Sequence, residues 1–221
     1  RFTILPNQAY DFIDRAQAHA ALAASAQPGP GLLYFGTLAQ RHERSRAALT
    51  ALLEASHAVR FLDLNLRDGH YDERCVTRSL QAANIVKVNE EELQVLFGWY
   101  FQIKPDDPPL AADEGHASCQ ALLKMFSLDA LVVTLGHRGS VYFDSDGRVL
   151  TQRDHPAPPF VIDTVGAGDA FAAIFLLGRM RGWPLETALL RANEFAGAIC
   201  AIPGAVPRDM GFYDKWMTRW R

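Results

Sequence analysis

Asp163-Thr164-Val165-Gly166-Ala167-Gly168-Asp169-Ala170-Phe171 is the stretch on which the reading of this 221-residue chain turns. It is a glycine turn that opens directly into an apolar helical run. Such a junction gathers backbone N–H groups at the positive end of a helix dipole, which favours an anion. Asp169 is the unusual member. A carboxylate adds nothing to simple phosphate binding, but in a phosphoryl-transfer site it takes a proton from the attacking hydroxyl. The competing reading is an ordinary strand-to-helix turn with Asp169 on the surface. Two glycines, two aspartates and a threonine within seven residues exceed what a turn requires. Two other phosphate motifs are excluded: the chain has no Gly-x-x-x-x-Gly-Lys-Ser/Thr, and Phe171 occupies the third glycine position of a dinucleotide fingerprint.

Working outward, the apolar runs alternate between strand and helix. Residues 8–25 are alanine-rich and read as helical, and the breaker cluster Gln27-Pro28-Gly29-Pro30-Gly31 precedes a strand at Leu32–Gly36. A helix over 45–56, a strand over 59–64, a helix over 73–82 and a strand over 84–88 follow. Asn89 is placed to cap a helix over 90–97. Lys104–Gly115 reads as a loop, 116–127 as a helix and 130–135 as a strand. Asp146-Gly147 is a hairpin signal flanked by strands at 140–143 and 149–152. Arg153–Pro159 is a Pro-rich connector into the glycine turn, and helices are expected over 167–181 and 185–201. This alternation predicts an α/β chain with a mainly parallel sheet covered on both faces. Ligands bind outside the carboxyl ends of such strands. Four polar clusters are expected to follow strands and share that edge: 63–67, 89–92, 134–139 and the glycine turn.

Each cluster has a functional and a structural reading. Asn89 and Glu92 have capping-box spacing, and the same pair could orient water around a hydrated Mg²⁺. Thr134-Leu135-Gly136-His137-Arg138-Gly139 lets backbone approach a flat or charged ligand, or is simply a tight connection. Asp63, Asn65 and Arg67 alternate along a strand end and so should share a face. Arg67 is then a phosphate or substrate contact, or the ion-pair partner of Asp63. Asn193, inside an apolar helix, is either a polar core residue or a contact for a base.

Composition excludes other classes. A net charge of −3 offers no electrostatic case for nucleic acid or an acidic membrane surface. No apolar run approaches the roughly 20 residues that span a bilayer. Cys75, Cys119 and Cys200 are sparse and lack metal-ligand spacing, so free thiols and a reducing, cytoplasmic compartment are expected. The seven histidines form no metal or triad pattern, and no Gly-x-Ser-x-Gly or His-Glu-x-x-His occurs, which leaves hydrolase chemistry without support.

On these residues the chain resembles the PfkB (ribokinase-like) carbohydrate kinase family. Asp163–Asp169 is similar to that family's C-terminal signature. Asp63-Leu64-Asn65-Leu66-Arg67 resembles the Asp-x-Asn-x-Arg segment of its fructokinase-like members, and Asn89-Glu90-Glu91-Glu92 their Asn-x-x-Glu helix start. Thr134–Gly139 resembles the nucleotide loop, and Asn193 through Pro203-Gly204-Ala205 the adenine-side segment.

The resemblance implies a three-layer ribokinase-like (Rossmann-like) α/β fold, with 1–221 as one nucleotide-binding and catalytic domain. It implies an ATP- and Mg²⁺-dependent phosphotransferase acting on a sugar hydroxyl. Asp169 would be the base, and Gly166, Ala167 and Gly168 the anion hole. Thr134, Gly136, Gly139 and Asn193 would border ATP, Asn65 and Arg67 would meet substrate or phosphate, and Asn89 and Glu92 would hold Mg²⁺ through water. Asp163, with the backbone near Val165 and Gly204, would touch a monovalent cation such as K⁺. The family's N-terminal Gly-Gly motif, sugar-binding aspartate and β-sheet lid are absent here, so the chain resembles the part C-terminal to the lid. An open sheet edge and apolar surface are therefore expected, inviting self-association as a homodimer. The alternatives are a non-catalytic nucleotide-binding module and a nucleoside kinase on the same scaffold.

Overall fold

A computed structural model of the chain describes residues 3–25, 31–103, 113–153 and 160–220. Its strands are β1 (Leu32–Phe35), β2 (Val59–Asp63), β3 (Ile85–Asn89), β4 (Ala130–Thr134), β5 (Ser140–Asp144) and β6 (Val149–Gln152). Among the described residues the helices are α1 (Arg15–Ala24), α2 (Glu43–Ala55), α3 (Glu73–Ala82), α4 (Glu90–Phe101), α5 (Asp113–Phe126), α6 (Ala167–Met180), α7 (Leu185–Cys200) and α8 (Gly211–Arg219). The strands form one sheet in the order β1-β2-β3-β4-β5-β6. β1, β2 and β3 pair in parallel, with Phe35 opposite Leu62 and Asp63 opposite Lys87. α2 and α3 supply the crossovers that parallel pairing needs, whereas the short links after β4 and β5 allow only antiparallel returns.

The chain divides into two compact units, residues 1–133 with 142–149, and residues 134–141 with 150–221. In the first, β3 and β4 are buried almost throughout, as parallel strands covered on both faces must be. Phe61, Leu62, Val86, Leu93, Leu96 and Phe97 fill its core. Among the described residues β1 is an edge strand of this sheet, as is β6, and Tyr34 on β1 is 48% exposed.

In the second unit α6 and α7 lie very close. A Cβ on Gly178 would come within 2.8 Å of both Ala188 and Trp183, so only glycine permits this approach. α8 caps the pair with an aromatic cluster: Phe195 lies 5.4 Å from Trp216 and 5.9 Å from Trp220, ring centroid to centroid. Arg219 ties α8 to Glu194 at 3.0 Å.

Several elements differ from the sequence reading. Regular helix begins only at Arg15, because Asp14 accepts from the N–H groups of Ala16 and Gln17 and fixes the start there. Residues 9–11 form a single 3-10 turn instead. α4 runs on to Phe101, and α5 begins at Asp113, two residues ahead of the end of the expected loop. The breaker residues 27–30, the loop residues 104–112 and the connector residues 154–159 lie outside the described set. α8 is an element beyond the sequence reading; its signal is the aromatic spacing Phe212, Trp216 and Trp220. Just ahead of the glycine turn Phe160 to Ile162 is irregular, with Ile162 N–H donating to Cys200 O at 2.8 Å. β2 also ends at Asp63, and Asn65 sits at φ +45°, so the expected alternation of 63, 65 and 67 is broken by a left-handed residue.

Asp11 anchors the chain ahead of α1. Its carboxylate accepts from Arg41 Nε and Nη2, each at 2.7 Å, while Arg41 also donates to Leu5 O. Arg41 is the main cause holding the Asp11 carboxyl well below the ordinary 3.8, at about 2. A depressed carboxyl stabilises the fold above its unfolded value and loses that contribution as pH falls toward its folded one. The melting temperature of Asp11→Asn should therefore lie below that of the parent at pH 6, with the gap closing progressively as pH falls from 4 toward 2. A gap independent of pH would refute the assignment.

Candidate active site

The expected site residues fall in both units, and each group is built within its own. In the first unit Asn89 ends β3 and caps α4. Its Oδ1 accepts from Glu92 N–H at 2.8 Å, and Glu92 Oε2 accepts from Asn89 N–H at 2.9 Å. The capping box is real, but Glu92 does more than cap. Its Oε1 accepts from the Leu66 N–H at 2.8 Å, joining the chain leaving β2 to the start of α4. Glu92 is 6% exposed, and burial pushes its carboxyl up, against the bonds from Asn89 and Leu66 and the nearby Lys87 charge. Asn65 and Arg67 stand on that same exit segment, Arg67 exposed. The ion pair of Asp63 is made with Lys87, at 2.9 and 3.1 Å, both side chains almost fully buried.

In the second unit Gly166 is the residue before α6, at φ +83°. A Cβ there would meet Ala205 at 2.6 Å, so the turn needs glycine for its backbone angle and for its neighbour. Asp163 holds the turn to that neighbour's segment: Oδ1 accepts from Val165 N–H at 3.0 Å and Oδ2 from Gly204 N–H at 3.2 Å. Ala167 N–H donates to Thr164 O at 3.3 Å, and no side chain caps the helix start. Asp169 stands exposed in the first turn of α6. With Gly166 it lines a cavity of about 320 Å³ whose other walls are apolar, among them Ala173, Leu177, Phe195 and Trp216. An anion brought to this helix start meets N–H groups and a positive dipole end, with a carboxylate alongside.

The second unit also contains Thr134, Gly136, Gly139 and Asn193. Gly136 and Gly139 adopt φ +60° and +91°, and a Cβ on Gly139 would collide with Gln152 O. The loop therefore turns tightly, with Leu135 N–H on Gly139 O at 2.8 Å and Gly136 exposed. Asn193 is buried and donates its side-chain amide to Ser140 Oγ at 3.0 Å, which pins α7 behind the loop.

The whole pattern matches the profile of pfkB family carbohydrate kinases over residues 13–208. The chain belongs to the pfkB family. Kinases of this family are phosphotransferases acting on sugar hydroxyls. Fructokinase from Escherichia coli is 31% identical over 156 residues, covering 66% of this chain and 45% of its own length. Aminoimidazole riboside kinase from Salmonella typhimurium is 29% identical over 179 residues, covering 73% of this chain and 50% of its own. The chain thus spans about half the length of these curated relatives. A crystal structure of fructokinase from Vibrio cholerae, in a form with fructose, ADP and calcium ion bound, superposes with a TM-score of 0.67 at 24% identity. It covers 93% of this chain and 63% of that one. That likeness establishes the ribokinase-like α/β fold.

For a metal, the donor chemistry is restrictive. Among the described residues no group of three or more His, Cys, Asp or Glu side chains could hold an ion. Each Glu92 oxygen and Asn89 Oδ1 already accepts one backbone N–H, leaving lone pairs for water. That set fits a hydrated Mg²⁺ held through its waters. Sequence reasoning passed over Lys87, Tyr34 and Ser140. A lysine in the apolar run Ile85-Val86-Lys87-Val88 was the available signal, since a buried ammonium demands a carboxylate on an adjoining strand.

The glycine turn can be tested directly. Gly166→Ala forces a side chain into a left-handed backbone and against Ala205, which should cost at least about 1–3 kcal/mol. Denaturant unfolding reads this as a lower midpoint at unchanged slope. A midpoint equal to the parent's would mean that the turn is not held in this conformation.

Proposed function

We propose that this chain is the nucleotide-binding and catalytic domain of an ATP-dependent carbohydrate kinase, fructokinase-like in its acceptor. The observation that carries the reading is the glycine turn: an uncapped helix start with a free-standing carboxylate in its first turn. Asp169 takes the proton of the acceptor hydroxyl as it attacks, and so raises the nucleophilicity of that oxygen. The N–H groups at Gly166, Ala167 and Gly168 balance the negative charge of the transferring phosphoryl group. Thr134, Gly136 and Gly139 provide a surface close enough for a nucleotide to lie on backbone, and Asn193 sets its position from behind. Arg67 and Asn65 receive phosphate or substrate. Asn89 and Glu92 hold Mg²⁺ through its waters, and bound Mg²⁺ neutralises phosphate charge. Asp163 and the Val165–Gly204 backbone accommodate a monovalent cation such as K⁺. A cytoplasmic setting fits the three free thiols, and β1, an edge strand among the described residues, would offer its backbone to a second copy in a homodimer.

A nucleoside acceptor is the second reading, supported by the similarity to an aminoimidazole riboside kinase. Both readings are tested on the native gene product that carries this chain, by ADP release with panels of sugars and nucleosides. Turnover on sugars supports the first and turnover on nucleosides alone the second. ATP binding with no turnover on either panel would make the chain a nucleotide-binding module instead. Asp169→Ala should lower kcat about 10²- to 10⁴-fold. A loss of less than about tenfold would remove Asp169 as the base.

A further inference from the structure

Lys87 is the one lysine in the apolar run of β3, and it is 5% exposed. Its Nζ reaches both oxygens of Asp63, the residue opposite it in the β2–β3 register. Tyr34 Oη donates to Asp63 Oδ2 at 3.1 Å from the neighbouring strand β1. A buried pair of this kind pays so much desolvation that apolar residues of similar volume often serve stability equally well. Its place in the fold suggests what else it does.

Directly beyond Asp63 the chain leaves β2 through Leu64, Asn65 and Leu66, with Asn65 in a left-handed conformation. Lys87 O accepts from Leu64 N–H at 3.0 Å, and Thr37 Oγ1 donates to Leu64 O at 2.9 Å. Two residues further on, Leu66 N–H ends on Glu92. Lys87 thus grips this exit twice, by its backbone at Leu64 and by its side chain at Asp63. Both grips lie upstream of the Leu66–Glu92 bond.

We propose that Lys87 and Asp63 are positioning residues: their buried pair, braced by Tyr34, sets the β2 exit so that Glu92 and Asn89 keep the orientation needed to hold a hydrated cation. The pair touches neither substrate nor metal and acts through the Leu66–Glu92 bond. The assignment of a cation to Asn89 and Glu92 rests on the kinase reading above; the clamping of Leu66 does not.

The decisive comparison is the double variant Asp63→Leu/Lys87→Met, which exchanges the ion pair for apolar contacts. Its melting temperature should stay within about 5 °C of the parent's. Amide hydrogen exchange, measured without nucleotide or metal, should become about tenfold faster at Leu66 and Asn89 while the centres of α3 and β4 keep their protection. In the native gene product the Mg²⁺ concentration for half-maximal rate should rise about tenfold, with the acceptor KM within about twofold. Parent-like protection at Leu66, or an unchanged Mg²⁺ requirement in an active enzyme, overturns the proposal. Should the double variant fail to fold, Tyr34→Phe removes one brace from a half-exposed side chain. Its Leu66 exchange should quicken about two- to threefold, and no change there overturns the proposal equally. An inactive parent would sink the kinase reading while leaving the exchange test decisive for the clamp.

Discussion

One carboxylate organises the first unit. Glu92 accepts backbone N–H groups from two separate segments, Leu66 after β2 and Asn89 at the start of α4. A buried carboxylate is costly unless its lone pairs are used. Here the cost is offset by the very bonds that bring the ends of two parallel strands into fixed relation. Asn65, Arg67 and Asn89 owe their placement to that constraint, since all three stand on the segments Glu92 joins. The Asp63–Lys87 pair lies just beneath, so the polar groups of this strand edge form a satisfied network rather than isolated charges.

The second unit depends on close approach instead of charge. Gly166 presses against Ala205, and Gly178 against Ala188, so α6 is seated by contacts that no side chain could share. Asp163 completes the arrangement by bonding Val165 and Gly204 across the same turn. The outcome is a helix start whose first turn is held from outside and presents Asp169 to solvent. Such an arrangement is compatible with the proposed phosphoryl transfer, where catalysis is mostly positioning and electrostatics.

Much of this was legible in the linear chain. α3 was delimited to the residue, because Asp72 caps it and accepts from Cys75 N–H, and an apolar face ends where β3 begins. The capping box at Asn89 and Glu92 follows from spacing alone, as does the tight loop at Gly136 and Gly139. What sequence missed has common causes. The approach to the glycine turn is set by Ile162 and Asp163, which donate to Cys200 O, a partner 37 or more residues away. Alternation past Asp63 fails because Leu66 is drawn to Glu92. α8 is not legible in the linear chain because its aromatic residues have meaning only against Phe195 of α7.

The sequence by itself determined the α/β class, the pfkB resemblance and the identity of the acid beside the glycine turn, since these rest on periodicity and short-range spacing. Tertiary structure alone decided the partners. It showed that Asp63 answers Lys87, that Glu92 serves the β2 exit as well as its own helix, and that Asn193 donates to Ser140. The physical reason is range. Caps and turns are satisfied within a few residues and leave a local signature, whereas a buried charge or amide is satisfied by whatever group the fold brings to it, and only the folded chain reveals which.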